Sequence, residues 1–298
     1  MLHSQKAGVL MVMGSGLLFG FGGACSQYLF EQQGVDYHWL VPIRLLSAGL
    51  ILLLFSKRAQ GGLLAPLRSW HSALQLVAYG VLGVMLMQYG YLAAIHYSNV
   101  GTATVLQNTA PAMLVIVVCL LERKLPRIKE IISILLALTG VWLLATHGQA
   151  GQLILSPQAL GIGLLSALAV VLNNLIPKKL MDHYPVTILV GWGMLIGGLV
   201  MTAAFKPHIY PVTYSLPLIA ATAGLIVLGT VLSFLLYMLG LRIVGPTRAS
   251  LLVMTEPISA ALLAAVWFGA KFSAADLLGF GCILAVMVLL VPAKQKTP

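Results

Sequence analysis

The stretch YLAAIHYSNVGTATVLQNTAP, residues Tyr91 to Pro111, aligns without a gap with YMLGLRIVGPTRASLLVMTEP, residues Tyr237 to Pro257. The fixed offset of 146 residues pairs Tyr91 with Tyr237, Ala103 with Ala249, Leu106 with Leu252, Thr109 with Thr255 and Pro111 with Pro257. Internal repeats with a matched helix-breaking proline are typical of carriers that work by alternating access. The sequence therefore predicts a duplicated chain, with one repeat in residues 1–148 and the other in 149–298.

The composition places the chain in a membrane. Hydrophobic residues make up 60% of it, charged residues 8%, and the mean hydropathy is +0.99, whereas soluble domains carry about 25% charged residues. A bilayer core of about 30 Å needs roughly 20 apolar residues per helix. We therefore predict an all-α polytopic membrane protein with ten transmembrane helices, at 7–30, 38–56, 72–95, 99–121, 129–147, 158–177, 186–205, 215–240, 248–270 and 274–292.

The basic residues predict the orientation. With a cytoplasmic N-terminus, the outer loops hold Lys206 and Lys271 and one arginine, Arg44, lies within a span. The other basic residues then lie inside, as the positive-inside rule requires, and both termini are cytoplasmic. Five helices per repeat is an odd number, so the second repeat is expected to have inverted topology. The net charge of +10 is thereby a topology signal that suits an anionic inner leaflet, and it does not indicate nucleic-acid binding.

Two ionisable residues lie well inside predicted spans, where a charge is costly and ordinarily faces a cavity or a partner. Glu256 directly precedes Pro257 and has three candidate roles: binding a substrate amine, taking up a proton, or forming a structural ion pair. Arg44 either ties several helix carbonyls together or anchors a substrate carboxylate or phosphate. Both fall near the middle of the membrane, so the two are expected to be able to reach one another, directly or through water.

Further candidates for the substrate site are polar or aromatic residues within the spans. Gln107 and Asn108 precede Pro111, and unpaired amides in hydrocarbon must find partners in neighbouring helices or water. The other candidates are Gln88, Tyr89, Tyr91, Asn173, Trp192 and Tyr237, for which helix packing or interfacial anchoring is the competing role. Pro111 and Pro257 are the expected helix breaks.

Several chemistries lack support in the sequence. The seven histidines fall at predicted loops or span ends, and the three cysteines form no Cys-x-x-Cys pair. We therefore expect that the chain has no metal site and that its cysteines are free thiols. No phosphate-binding glycine loop or Walker lysine is present, so we expect no nucleotide or other cofactor. An intramembrane enzyme is the rival class, but the seven acidic residues lie mostly at span ends or in loops.

The two aligned blocks resemble the paired repeats of the EamA branch of the drug/metabolite transporter superfamily. The resemblance rests on the block ending at Pro111, Glu122-Arg123-Lys124-Leu125 after it, the Glu256-Pro257 pair, and Arg44. It implies ten transmembrane helices and the export of small molecules. The stretch Gln27-Tyr28-Leu29-Phe30 is also similar to a little-characterised bacterial inner-membrane subgroup.

Together these features predict a secondary transporter that exports a small polar or amphipathic metabolite, such as an amino acid or a drug-like compound. It would work by alternating access across the cytoplasmic membrane, with proton coupling through Glu256. A facilitator driven by the substrate gradient alone is the alternative, and the oligomeric state is left open.

Overall fold

A computed structural model describes residues 2–56, 62–97, 100–149, 151, 156–268 and 273–290. All regular structure in these ranges is helical. The α-helices, numbered in chain order, are α1 (Leu2–Glu31), α2 (Tyr37–Phe55), α3 (Ala65–Arg68), α4 (Trp70–Ala78), α5 (Leu86–Tyr97), α6 (Val100–Gln107), α7 (Ala110–Glu122), α8 (Ile128–Thr146), α9 (Pro157–Leu175), α10 (Val186–Phe205), α11 (Leu216–Ile226), α12 (Ser233–Val244), α13 (Pro246–Leu252), α14 (Thr255–Phe268) and α15 (Ala274–Leu290).

Local sequence signals explain where these helices begin. The Asp36 side chain caps α2 by accepting a hydrogen bond from the backbone N–H of the second helical residue at 2.7 Å. Ser156 caps α9 and Ser215 caps α11 in the same way, and a proline stands in the first turn of each of these two helices. A capping oxygen satisfies a backbone donor that has no partner within the helix, and a proline there removes another such donor.

Seven helical stretches in the described residues are long and apolar enough to cross a membrane. They coincide with the first four and the sixth to eighth predicted spans, and they are Gln5–Glu31, Tyr37–Phe55, Trp70–Ala94, Val105–Glu122, Pro157–Asp182, Val186–Phe205 and Leu216–Val244. The other three predicted spans fall on α8, on α13 with α14, and on α15. Five of the basic residues used for the orientation, Lys57, Arg58, Lys271, Lys294 and Lys296, lie outside the described residues.

The predicted spans 99–121 and 248–270 are not continuous helices. The first divides into α6 and α7, and the second into α13 and α14, with two residues between the parts in each case. Each break lies just before the paired proline, which stands in the first turn of the following helix. Proline has no backbone donor, so the first turn of a helix is the position that tolerates it.

The predicted spans 72–95 and 215–240 also depart from regular α-geometry. A π-helical segment at Tyr79–Met85 joins α4 to α5, and another at Val227–Leu232 joins α11 to α12. Gly83 and Gly229, which the offset of 146 pairs, lie in these two π segments. Single π turns are uncommon and occur frequently at functional sites. Both departures from α-geometry therefore recur in corresponding parts of the two halves.

The helices of the two halves interlock. The helix α1 packs against α12 and α14, while α9, the first helix of the second half, packs against α5 and α6. The helix α2 packs on α10, and α8 packs on α15. Glycines bring these helices close: a Cβ built at Gly22 would lie 3.0 Å from the Cα of Gly229, and one at Gly49 would lie 2.7 Å from the backbone nitrogen of Leu195. Small residues at crossings are the usual device for close contact between membrane helices.

The contact between α1 and α14 predicts a stability difference between two glycines of one helix. A Cβ at Gly20 would lie 2.7 Å from the carbonyl oxygen of Glu256, whereas one at Gly14 would meet nothing within 4 Å. We expect Gly20→Ala to lower the free energy of unfolding by about 1–3 kcal/mol through overpacking, and Gly14→Ala to leave it unchanged or raise it. Thermal unfolding of the two purified variants in detergent tests this; equal transition temperatures would contradict the packing described for Gly20.

Candidate functional site

A cavity of about 220 Å³ lies where α1, α2, α5, α9 and α12 meet the two broken helices. Ten of the residues singled out in the sequence line it: Arg44, Gln88, Tyr91, Gln107, Asn108, Pro111, Asn173, Tyr237, Glu256 and Pro257. Apolar and aromatic side chains complete the lining, among them Phe19, Phe30, Met87, Leu92 and Phe234. The cavity is thus bounded by residues of both halves and combines two opposite charges with several amides.

Arg44, on α2, is bound to the second π segment. Its Nε donates a hydrogen bond to Thr230 Oγ1 at 2.6 Å, and its Nη2 donates to the carbonyl oxygen of Gly229 at 3.3 Å. Thr230 in turn donates to the carbonyl oxygen of Leu225 at 2.8 Å. Departure from regular α-pairing leaves backbone groups that other side chains can satisfy. Arg44 thus binds one hydroxyl and one backbone carbonyl of this segment, and it also lines the cavity.

Glu256 is the second residue of α14, directly after the break. Its backbone N–H donates to the carbonyl oxygen of Val253 at 2.9 Å, and its side chain lines the cavity. The N-terminal turn of a helix carries a partial positive charge, which stabilises a negatively charged side chain there. Arg44 and Glu256 interact electrostatically across the cavity, but among the described residues no ion pair within 4 Å joins them.

Hydroxyl groups hold the second break against α1. Thr255 Oγ1 donates to the carbonyl oxygen of Met13 at 2.9 Å, and Ser259 Oγ donates to that of Leu17 at 2.8 Å. The close approach at Gly20 makes these contacts reachable, because a side chain there would separate the two helices. The backbone around Glu256 is thereby fixed to the first helix of the other half.

The first break is held in a related way. Gln107 Nε2 donates to Ser166 Oγ on α9 at 2.8 Å, and Ser166 donates to the carbonyl oxygen of Met87 on α5 at 3.1 Å. Asn108, the next residue, lines the cavity. The amide of Gln107 has therefore found the interhelical partner that its position in a span requires.

Two adjacent asparagines near the end of α9 have different surroundings. Asn174 Nδ2 donates to the carbonyl oxygen of Val170 at 2.7 Å, and its Oδ1 accepts a hydrogen bond from the hydroxyl of Tyr237 on α12. Asn173 lines the cavity, and its buried Oδ1 has no hydrogen-bond partner among the described residues. Asn174 thus joins two helices of the second half, and Asn173 lines the cavity between the halves.

Tyr89 and Trp192 lie away from this cavity. The Tyr89 ring stacks on Phe205 with centroids 5.3 Å apart and lies 6.3 Å from the ring of Tyr37. Trp192 Nε1 donates to the carbonyl oxygen of Leu63 at 2.8 Å. Tyr89 therefore belongs to an aromatic cluster at the N-terminal end of α2, and Trp192 fastens the loop that precedes α3.

The sequence reasoning missed several residues of the site. Thr230 holds Arg44, Ser166 holds Gln107, and the Phe19 ring meets Phe234 edge to face with centroids 5.1 Å apart. A polar residue in an otherwise apolar span was the available signal for Thr230 and Ser166. Phenylalanine in an apolar span carries no such signal.

Comparison with known proteins matches this chain to one family along nearly its whole length. The model of the EamA-like transporter family matches residues 6–146 and again residues 158–291. An uncharacterized inner membrane transporter of Salmonella typhimurium, YicL, is 37% identical over 97% of this chain and 96% of its own length. An uncharacterized transporter of Bacillus subtilis, YetK, is 26% identical over 85% of this chain and 78% of its own.

One crystal structure of another protein has the same fold. It matches with a TM-score of 0.77 over 95% of this chain and 96% of that one, at 17% identity, so the likeness concerns the fold alone. The repeated family match and the long alignment with YicL lead to one conclusion: this chain is a membrane protein that belongs to the EamA-like transporter family.

Proposed function

We propose that the chain is a secondary transporter that exports a small polar metabolite across the inner membrane by alternating access. Its ten transmembrane helices would form two inverted five-helix repeats, residues 1–148 and 149–298. The paired breaks, the paired π segments and the interlocked packing of the halves support this arrangement. Two similar halves can exchange conformations, so that one packing opens inward and the other outward. Transport of this kind leaves the cargo chemically unchanged.

The observation that carries the proposal is the cavity between the halves. It contains the guanidinium of Arg44, the carboxylate of Glu256 and the side-chain amides of five residues, Gln27, Gln88, Gln107, Asn108 and Asn173. Its volume of about 220 Å³ is below the roughly 300–1,000 Å³ of pockets for drug-sized ligands. A metabolite of about amino-acid size, with polar groups at its ends and an apolar middle against Phe19 and Phe234, fits this lining.

Glu256 is the proposed coupling residue. It is the acidic residue among those that line the cavity, and ionisable groups at such depth mark substrate and proton pathways. A carboxyl group that is exposed alternately to the two sides of the membrane can take up a proton on one side and release it on the other. Exchange of a proton for the cargo at this carboxyl would then drive export.

The Glu256→Gln variant tests the coupling. Proteoliposomes holding the purified protein would be screened with labelled amino acids and cationic drugs, with and without a pH gradient. We expect gradient-stimulated flux in the wild type and a fall to the rate of protein-free liposomes in Glu256→Gln, because glutamine cannot exchange a proton. Glu122→Gln is the matched control, since Glu122 is exposed at the end of α7 and pairs with Lys124.

Two outcomes would count against the coupling. Undiminished gradient-driven flux in Glu256→Gln would remove Glu256 from the mechanism. Flux that is independent of the gradient in the wild type would identify a facilitator, the second candidate, which the same cavity serves equally well. Absence of flux for every labelled compound in the wild type would contradict the proposed substrate class.

The proposed orientation places both termini in the cytoplasm. This follows from the basic residues of the loops, and the inner membrane is inferred from the relative YicL, which is named as an inner membrane transporter. In bacteria, alkaline phosphatase fused to the C-terminus should be inactive and green fluorescent protein fused there should fluoresce, because the first needs the periplasm and the second folds in the cytoplasm. Active phosphatase at the C-terminus would contradict the proposed cytoplasmic location of the termini.

A further inference from the structure

Thr230 lies at a junction between the two halves. Its side chain is fully buried within the π segment of the second half, where Oγ1 accepts from Arg44 of α2 and donates to Leu225. The hydroxyl therefore uses both its donor and its acceptor capacity. Neither a valine nor an alanine could hold Arg44 in this way, although a valine has nearly the same shape.

Arg44 is held by one edge. The guanidinium carries five N–H donors in a planar fork, and the edge formed by Nε and Nη2 is the one bound to Thr230 and to the carbonyl of Gly229. Among the described residues, the remaining donors of Arg44 have no acceptor at hydrogen-bond distance. The held edge turns Arg44 toward the π segment, while Glu256 lies across the cavity beyond 4 Å from its nitrogen atoms.

Among the described residues, Arg44 and Glu256 are oppositely charged groups that line the same cavity and act on one another. In the described part of the chain, Arg44 is the charged group that acts on Glu256. The described helices that pack against α14 are α1 and α8, and neither places a second charged group near Glu256. The Cys25 thiol and the Tyr91 phenol also act on Arg44, and neither is an acidic residue. Released from Thr230, the guanidinium would therefore have one strong partner to move toward.

We propose that Thr230 is a positioning residue that holds Arg44 away from Glu256 and so leaves the Glu256 carboxyl free to bind a proton or a cationic group of the cargo. An ion pair between the two would compete with both, because it would keep the carboxyl ionised and occupied. Only the role of Glu256 in binding a coupled proton or the cargo rests on the proposed transport function. The positioning itself is a property of the empty protein.

Dicyclohexylcarbodiimide is a suitable probe, since it reacts with protonated carboxyl groups in apolar surroundings. Purified full-length protein in detergent would be treated with it, and labelling at Glu256 would be followed by peptide mass spectrometry. We expect Thr230→Val to slow labelling of Glu256 about tenfold, the factor expected when the carboxyl gains a charge-assisted pair. Thr230→Ser, which keeps the hydroxyl, should label at the wild-type rate.

Two further variants separate positioning from a general loss of structure. Thr222→Val makes the same substitution on the same membrane span, at a buried hydroxyl that has no hydrogen-bond partner in the described structure, and should label as the wild type does. The double variant Thr230→Val with Arg44→Gln should recover the wild-type rate, because the competing guanidinium is gone. A merely structural defect at position 230 would not be repaired by removing Arg44.

The inference is overturned if Thr230→Val labels at the wild-type rate or if removal of Arg44 does not restore labelling. A single Arg44→Gln variant keeps the test open should Thr230→Val fail to fold. It should label within about twofold of the wild type, because Arg44 is already held off the carboxyl; a tenfold increase would show that the two residues are paired in the wild type. Labelling needs no cargo, so failure of the transport proposal would leave these results interpretable.

Discussion

The backbone of a membrane protein must satisfy its own hydrogen-bonding groups, because hydrocarbon offers no partners. The rest of this structure follows from how that constraint is met at four irregular places, two helix breaks and two π segments. At the breaks, Thr109 Oγ1 donates to the carbonyl oxygen of Leu106 at 2.7 Å and Thr255 reaches across to α1. At the second π segment, Arg44 donates a hydrogen bond to the carbonyl oxygen of Gly229. The two breaks border the polar cavity, where irregular backbone is tolerated.

Close packing makes those side-chain contacts possible. The hydroxyls of Thr255 and Ser259 reach carbonyls of α1 only because Gly16 and Gly20 let the helices nearly touch. The same device operates where α2 crosses α10 at Gly49 and Gly191. Glycines and polar residues thus act together. A glycine lets two helices pack closely, and the short side chain of a threonine or serine can then reach a backbone carbonyl of the neighbouring helix.

Much of this organisation could be predicted from the sequence, because hydropathy and repetition report directly on membrane spans and duplication. Arg44 and Glu256 stood out since a charge in an apolar span is costly wherever the helix faces. The π segments could not be predicted, because a one-residue change in backbone pairing leaves the hydropathy pattern unaltered. Trp192 was proposed for the site as an aromatic residue within a span, and its indole N–H donates to the carbonyl of Leu63, a contact that composition could not reveal. Thr230 was overlooked because a threonine in a span can satisfy its hydroxyl on a carbonyl of its own helix, as Thr230 does on Leu225, and so needs no functional role.

The helices that cross the two π segments contact them through different residues. In the second half the crossing residue is Arg44 of α2, whereas in the first half it is Gly193 of α10, which lies directly against the ring of Tyr79 and the backbone of Gly80. If the halves exchange conformations as we propose, the exchanged state cannot reproduce the hydrogen bonds of Arg44 in the other half, because the offset of 146 residues pairs Arg44 with Val190. The two end states of the cycle are then unequal in free energy, and the empty protein has a resting state in which one face of the membrane is preferred.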